Sequence, residues 1–446
     1  MIENVDRKSI IKFAFPLILT GMSYIMMTTV DAIFVGRLGV SQIAAVGLSG
    51  FLIWAFYNFF TGIPLSVNTF VSQHFGAKNY SKTIVSVYNG MLIIIISSLL
   101  LFFIRIFTPE ILKLMKPSQE VQKMAVIYTQ MRLMGAPFYL ANYVFASFYR
   151  GIGDNKIILK INIVINIINI FLDYILIFGF SEIKGMGIKG AAIATVISQL
   201  IGTLAYIVLF YKFKCEENKN SNYKLRFDSS ELVTLVKVGF PRGLAMFAEL
   251  FAAFVFVTLL GRLGDAQLAA STIMLQIVLF SNITALGLGR AGASLIGQFI
   301  GAKRKESAYK SGYYSAEINF TFTVMFSVLL IINSKNICSI FNTDPNVILF
   351  FDRIVVFGAI FVCFDGLQII MNYCLGGAGD TKYPLYIILV VAYLIFIPLV
   401  YLLAFHFEYG IWGAWLASSI FIVLYGTLLF YRFVKKRWQM INLMPA

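Results

Sequence analysis

The chain contains one design twice. Residues 11–82 laid over residues 236–307 bring the same landmarks back at a constant offset of 225. Phe15-Pro16 recurs as Phe240-Pro241, and Gly36-Arg37-Leu38-Gly39 as Gly261-Arg262-Leu263-Gly264. Gln42, Ala44-Ala45 and Gln73 return as Gln267, Ala269-Ala270 and Gln298, and Gly76-Ala77-Lys78 as Gly301-Ala302-Lys303. Gly151–Asp154 and Gly377–Asp380 follow at 226, and Gly187–Ala191 and Gly410–Ala414 at 223. A duplication of this length restricts the fold to two copies of one arrangement in series.

The copies are too apolar for a soluble domain: 59% of residues are hydrophobic, 13% are charged, and the mean hydropathy is +0.83. A helix crosses a bilayer with about 20 apolar residues. Twelve such runs are predicted, over roughly 11–35, 44–72, 84–104, 121–147, 157–178, 187–211, 230–257, 268–299, 309–332, 347–374, 384–405 and 410–433. Six crossings per copy return the second copy to the same side of the membrane as the first. The expected fold is therefore an all-α integral membrane protein, with twelve transmembrane helices in two parallel six-helix repeats around a central cavity. The expected division is an amino-terminal lobe at 1–213, a cytoplasmic linker at 214–229 and a carboxy-terminal lobe at 230–446.

Most of the 36 Lys and Arg residues fall on one side of this topology, at the termini and the even-numbered connections. Arg7, Lys8, Lys78, Lys82, Arg150, Lys156, Lys303–Lys305 and Lys435–Arg437 are among them. The positive-inside rule then puts both termini in the cytoplasm of a multi-pass protein of the cell's inner (plasma) membrane. The net charge of +15 is a topology signal with membrane lipids as neighbours, and its scatter over short loops excludes a nucleic-acid partner. A monomer is expected. The first apolar run is too long for a cleaved signal peptide and is read as a retained helix.

Four carboxylates interrupt the apolar runs: Asp31, Asp173, Glu249 and Asp365. A charge at a helix centre costs about 2.5–3.5 kcal/mol on the translocon scale, and such residues face the bundle interior or an aqueous path. Polar side chains share their helix faces. Asn162, Asn166, Asn169 and Asp173 stand at spacings of four, three and four, and Asp365, Gln368 and Asn372 at three and four. Asn58, Thr61 and Asn68 form a third stripe, and Tyr24, Thr28 and Asp31 a fourth. Polar stripes either glue helices together, at about 1 kcal/mol per bond, or line a cavity. Those containing a carboxylate are read as cavity lining. The repeat does not place the acids: Asp31 corresponds to Phe256, Glu249 to Tyr24, Asp173 to Leu399 and Asp365 to Tyr139.

Carboxylate, amide and hydroxyl oxygens suit Na⁺, and the same carboxylates could carry H⁺. Asp31, Asn169, Asp173, Glu249 and Asp365 are the Na⁺ candidates. Small organic cations or drugs are the expected guests, with Asn58, Asn68, Asn166, Phe361, Gln368 and Asn372 along the cavity and a cation–π contact available from Phe361. Arg132, Arg242, Arg290 and Arg353 lie in or near predicted spans, and Arg290 either pairs with a carboxylate or snorkels to the membrane surface. No catalytic residue or cofactor is expected. The chain has two histidines and no nucleophile–base pattern, and its Gly-x-Gly segments follow no strand.

Together these motifs resemble the multidrug and toxic compound extrusion (MATE) family, and most of all its bacterial NorM-like branch. The resemblance rests on Pro16, Val30-Asp31, Val35–Gly39, Ala44–Gly47, Gln73 with Phe75–Ala77, Arg150–Asp154, Asn169–Tyr174, Gly185–Thr195 and Gly376–Lys382. It implies two lobes of six helices and antiport by alternating access, with Na⁺ or H⁺ moving in as an organic cation leaves. It implies an amino-terminal coupling set of Asp31, Asn169, Asp173 and Thr195, and matches Glu249 and Asp365 to acids of the carboxy-terminal lobe. Na⁺ is the favoured coupling ion. A lipid-linked oligosaccharide flippase is the alternative, ranked lower because it predicts a basic cavity and extra helices.

Overall fold

The structure is a computed structural model and describes residues 5–218 and 228–443. Most of the expected linker, 219–227, lies outside the described residues. Among those described, eleven helices are long and apolar enough to cross a membrane. The first copy comprises α1 (Arg7–Gly36), α2 (Val40–Gly76), α3 (Tyr80–Ile104), a short α4 (Thr108–Leu114), α5 (Gln119–Met134), α6 (Ala136–Ile152), α7 (Asn155–Phe178) and α8 (Ile188–Asn218). A two-residue hairpin, β1 (Gly179–Phe180) with β2 (Ile183–Lys184), separates α7 from α8. The second copy comprises α9 (Ser229–Gly261), α10 (Asp265–Gly301), α11 (Lys305–Ile332), a short α12 (Ser334–Phe341), α13 (Pro345–Ala378), α14 (Lys382–Val390), α15 (Ile397–Tyr401) and α16 (Gly410–Val434).

The twelfth crossing is the one predicted over 121–147, and it is broken. α5 and α6 meet end to end at Gly135, where Pro137 has no N–H to continue the ladder. The amide of Gly135 bonds instead to the Arg132 carbonyl at 3.0 Å. Its counterpart α13 runs unbroken for 34 residues. A second departure lies between α14 and α15, where Val391–Phe396 widens into a π-helix ahead of Pro398, whose ring crowds the preceding turn.

Elsewhere the repeat is written into the backbone. α2 and α10 each span 37 residues. The glycines before them, Gly39 and Gly264, have φ of 138° and 122°. After them Lys78 and Lys303 turn left-handed, at φ 58° and 61°, and the same carbonyl-capping bonds close both helices.

Packing divides the chain into two compact units that cut across the repeat. The amino-terminal unit is 19–243, and the carboxy-terminal unit is 1–18 with 244–446. α1 and α9 thus each begin in one unit and finish in the other, changing over two residues past Pro16 and Pro241. In the amino-terminal unit, Gly239 and Gly243 of α9 lie against α2. A Cβ on Gly243 would fall 2.2 Å from the Phe59 carbonyl oxygen, and one on Gly62 would fall 2.2 Å from the Gly243 nitrogen. In the carboxy-terminal unit, Gly287 of α10 approaches Ile18 of α1 in the same way, with 3.0 Å from its added Cβ to Ile18 Cα. Gly62 corresponds to Gly287 and Gly243 to Ile18, both at 225. Small residues let helices approach where apolar surroundings give no other drive to associate.

Large apolar side chains cover the outer faces. Ile95, Leu99 and Phe103 of α3 are each more than half exposed. In water that stripe would be a liability, whereas lipid is its natural solvent.

Candidate functional site

The amino-terminal unit holds a cluster built from α1, α2, α5, α7 and α8. Asp31 of α1 and Asp173 of α7 are in carboxyl–carboxyl contact. Two carboxylates this close repel unless a proton or a metal cation joins them. Asp173 and Asn169 are fully buried one turn apart on α7. Among the described residues, no protein group hydrogen-bonds the Asn169 amide, either Asp173 oxygen or Asp31 Oδ1 in a donor–acceptor pair. Buried polar atoms without protein partners are rare, and here they converge.

Arg132, near the end of α5, acts electrostatically on both acids. Its Nη1 donates to the Tyr128 hydroxyl at 3.2 Å and to Thr195 Oγ1 of α8 at 3.5 Å. The break at Gly135 leaves the Arg132 carbonyl able to accept from the Tyr57 hydroxyl of α2 at 2.7 Å. Tyr57 in turn stacks on Tyr139 with ring centroids 4.2 Å apart. Tyr24 of α1, two turns before Asp31, is half exposed.

The carboxy-terminal unit holds a second cluster. Gln368 Nε2 of α13 donates to Glu249 Oε1 of α9 at 2.9 Å and to Asp365 Oδ1 at 3.1 Å. Asn282 Nδ2 of α10 donates to Asp365 Oδ2 at 2.7 Å. Asn372, one turn further along α13, donates to the Tyr425 hydroxyl of α16 at 3.3 Å.

The structure thus brings Asp31, Asn169, Asp173 and Thr195 together in one unit, and Glu249, Asp365 and Gln368 in the other. The remaining residues of the predicted cavity are engaged elsewhere. Asn68 donates to the Ser147 carbonyl of α6 at 3.2 Å, and Asn166 to the Ser23 carbonyl of α1 at 2.9 Å. Both bonds join helices. Asn58 bonds the Trp54 carbonyl of its own helix at 3.0 Å, and Phe361 packs edge-on against Trp415. Sequence reasoning missed Tyr57, Tyr128, Asn282 and the part played by Arg132. The available signal was Arg132 itself, a cation in an apolar run with Tyr128 one turn before it.

Comparison with known proteins follows the same outline. A family model described as MatE matches residues 16–175 and 241–402, one match per copy. The probable multidrug resistance protein NorM of Thermotoga maritima is 24% identical, over 97% of this chain and 93% of the relative. The probable multidrug resistance protein YoeA of Bacillus subtilis is 26% identical, over 98% and 96%. Among solved structures, a mutant of the Vibrio cholerae MATE transporter VcmN matches with a TM-score of 0.86 at 21% identity, over 98% of both chains. A crystal structure of MATE in the bent conformation matches at 0.87 and 18% identity, over 97% and 96%. At such identities the solved structures speak for the fold.

Proposed function

The chain belongs to the MATE family, and from that premise we propose a multidrug efflux antiporter that exports organic, mostly cationic compounds in exchange for an inward-moving cation. The observation that carries the reading is that each unit brings together two acids of its own on otherwise apolar helices, partly exposed Asp31 with buried Asp173 and partly exposed Glu249 with buried Asp365. The names of the relatives point to drugs as the exported class. The protein works as a monomer in the cell membrane, with both termini and the linker in the cytoplasm.

The cycle is competitive. A coupling cation on the acids and an organic cation in the cavity favour states open to opposite sides, so the two exchange without being carried together. Na⁺ is the first reading of the coupling ion, because the clusters offer carboxylate and amide oxygens. H⁺ is the second, favoured by the direct contact of Asp31 with Asp173, which one shared proton satisfies. Everted vesicles loaded with a fluorescent organic cation, with Na⁺ and pH gradients imposed separately, test both. Exchange against one gradient identifies the ion, and exchange against neither ends the antiport reading.

A further inference from the structure

We propose that the carboxy-terminal unit carries a seat for an anionic phospholipid headgroup, formed where the start of α11 meets the end of α16. It lies on the carboxy-terminal side of the membrane, which the topology proposed above makes the cytoplasmic leaflet.

Two basic triplets, Lys303-Arg304-Lys305 and Lys435-Lys436-Arg437, are far apart in the chain and meet in the fold. Lys436 Nζ pairs with Glu306 at 2.8 Å, and Lys305 Nζ donates to the Gln439 carbonyl at 3.2 Å. Glu306 is the one acid within 303–306 and 435–437, against six cations. All six but Lys436 are exposed. The chain end that carries the second triplet is fixed. Trp438 of the closing turn Arg437–Met440 is fully buried, and its indole N–H donates to the Phe433 carbonyl at 2.9 Å. Phe433 stacks on Trp438 with centroids 5.3 Å apart and on Tyr309 of α11 at 5.6 Å. Cations held in place this way lose less freedom on binding than mobile ones.

Ammonium and guanidinium groups suit a phosphodiester, and each one near a membrane surface adds attraction for anionic lipid. The neighbours make the guest a lipid. One to two turns toward the membrane from the charges, Tyr431 and Val434 of α16 and Tyr313 of α11 are exposed. Tyrosines at the ends of spans mark the level of the headgroups. Lys435 Nζ lies 5.5 Å from the Tyr431 ring centroid, so its stem joins the apolar face to the charged one. Dissolved phosphate would use the charges but not these apolar faces.

The positive-inside bias alone does not ask for such a cluster. At offsets of 225 and 223 the first copy has Lys78-Asn79-Tyr80 and Lys212-Phe213-Lys214, three cations for six. The copies share a topology, so the surplus serves something that the second copy does by itself.

The test measures retention of radiolabelled phosphatidylglycerol by the purified full-length chain in neutral detergent, beside phosphatidylcholine with the same acyl chains. Wild type should bind phosphatidylglycerol at least about tenfold more tightly. Salt at about 1 M, which cuts the Debye length to about 3 Å, should abolish the preference whether or not any variant folds. R304Q/K435Q/R437Q leaves the Lys436–Glu306 and Lys305–Gln439 contacts in place and should bind phosphatidylglycerol at least about tenfold more weakly. R304K/K435R/R437K keeps the charges and should stay within about threefold of wild type. K78Q/K156Q/K160Q removes as many cations from the amino-terminal unit and should also stay within about threefold. Excess glycerol phosphate should not displace the lipid. Equal affinity of wild type for the two lipids, a preference that survives salt, or an R304Q/K435Q/R437Q as tight as wild type overturns the seat. So does a loss of binding in R304K/K435R/R437K, or one in K78Q/K156Q/K160Q as large as in R304Q/K435Q/R437Q. Displacement by glycerol phosphate would make this a site for soluble phosphate and overturns the lipid assignment. A reversed topology would move the seat to the other leaflet without altering these affinities, so the two failures are distinguishable.

Discussion

Gln368 donates to Glu249 across the gap between α13 and α9 at 2.9 Å, and the same amide nitrogen reaches Asp365 at 3.1 Å. One neutral side chain thus holds two acids that would otherwise repel. Hydrogen bonds to charged groups contribute about 1.5–3 kcal/mol. Q368L should therefore lower thermal stability in detergent by about 2 kcal/mol, and Q368L/D365N should recover part of the loss by removing one of the two charges. Equal stability of Q368L and wild type would show that the amide bridges nothing of consequence.

The helix crossing in the amino-terminal unit makes a sharper steric prediction. A methyl group on Gly62 or Gly243 meets backbone at 2.2 Å, so the helices must move apart. G243A should cost about 1–3 kcal/mol, the usual range for overpacking. G47A is the control, because nothing lies within 4 Å of its added Cβ. It should be neutral or stabilise α2 by up to about 1 kcal/mol, since Ala outranks Gly in a helix. Midpoints of thermal unfolding in detergent rank the variants, and G243A unfolding with G47A would refute the close crossing.

How much of this was legible in the sequence depends on whether the cause was local. The offset of 225 and the apolar runs foretold the helices, and the spacing of Asp365 and Gln368 put them on one face. The pairing of Gln368 with Glu249 joins helices far apart in sequence, which no period encodes. The change of unit within α1 and α9 is likewise a tertiary fact. The repeat gives equal status to every residue of these helices, whereas packing distinguishes 7–18 from 19–36. The break at Gly135 did have a local sign, Gly-x-Pro, but an apolar run of that length outweighed it. Asn68 and Asn166 show the opposite failure: their stripe spacing suits a cavity or a helix contact equally, and the structure gives each a backbone carbonyl partner.

His74 and Glu231 make a buried pair, Nε2 to Oε2 at 3.6 Å, with Ser86 donating to the same carboxylate. The second copy has Phe299 where the first has His74. H74F would give the first copy the second's residue and remove the imidazole from beside the buried Glu231 Oε2, which accepts no hydrogen bond among the described residues. A buried polar group left without a partner costs about 1–3 kcal/mol, so H74F should unfold earlier and H74F/E231L should recover. A double variant no more stable than H74F would deny the pair any structural role.

At the start of α9, Asp228 accepts from the Ser230 hydroxyl at 2.8 Å and from the Glu231 amide at 3.1 Å. The Ser230 hydroxyl first, then the Glu231 amide, hold its carboxyl below the usual carboxylate range. A depressed value means that the cap's contribution is present above the unfolded value of about 3.9 and fades as pH falls through the lower folded value. D228A should cost about 1 kcal/mol of local stability at neutral pH. Amide exchange over 229–233, corrected for intrinsic rate, should rise in D228A at pH 6, and the difference from wild type should close under strong acid. A difference that persists in acid would mean that the carboxylate is not the cap.

The acids themselves give the most direct prediction for transport. Asp31 Oδ1 and both oxygens of the buried Asp173 have no hydrogen-bond donor among the described residues, which is what a site visited by a cation requires. D31N removes a charge but keeps the side chain's size and an acceptor oxygen. D365N does the same beside Asn282 and Gln368. Each variant should therefore elute as a folded protein yet lose ion-driven exchange by at least about tenfold, the equivalent of one charge-assisted contact. Passive binding of the organic cation to purified D31N should change less than exchange does, because the ion and not the drug is the expected guest of that cluster. Exchange rates in vesicles and dye binding in detergent separate the two effects. If D31N/D365N still drives exchange at the wild-type rate, neither cluster couples transport, and their burial needs another cause.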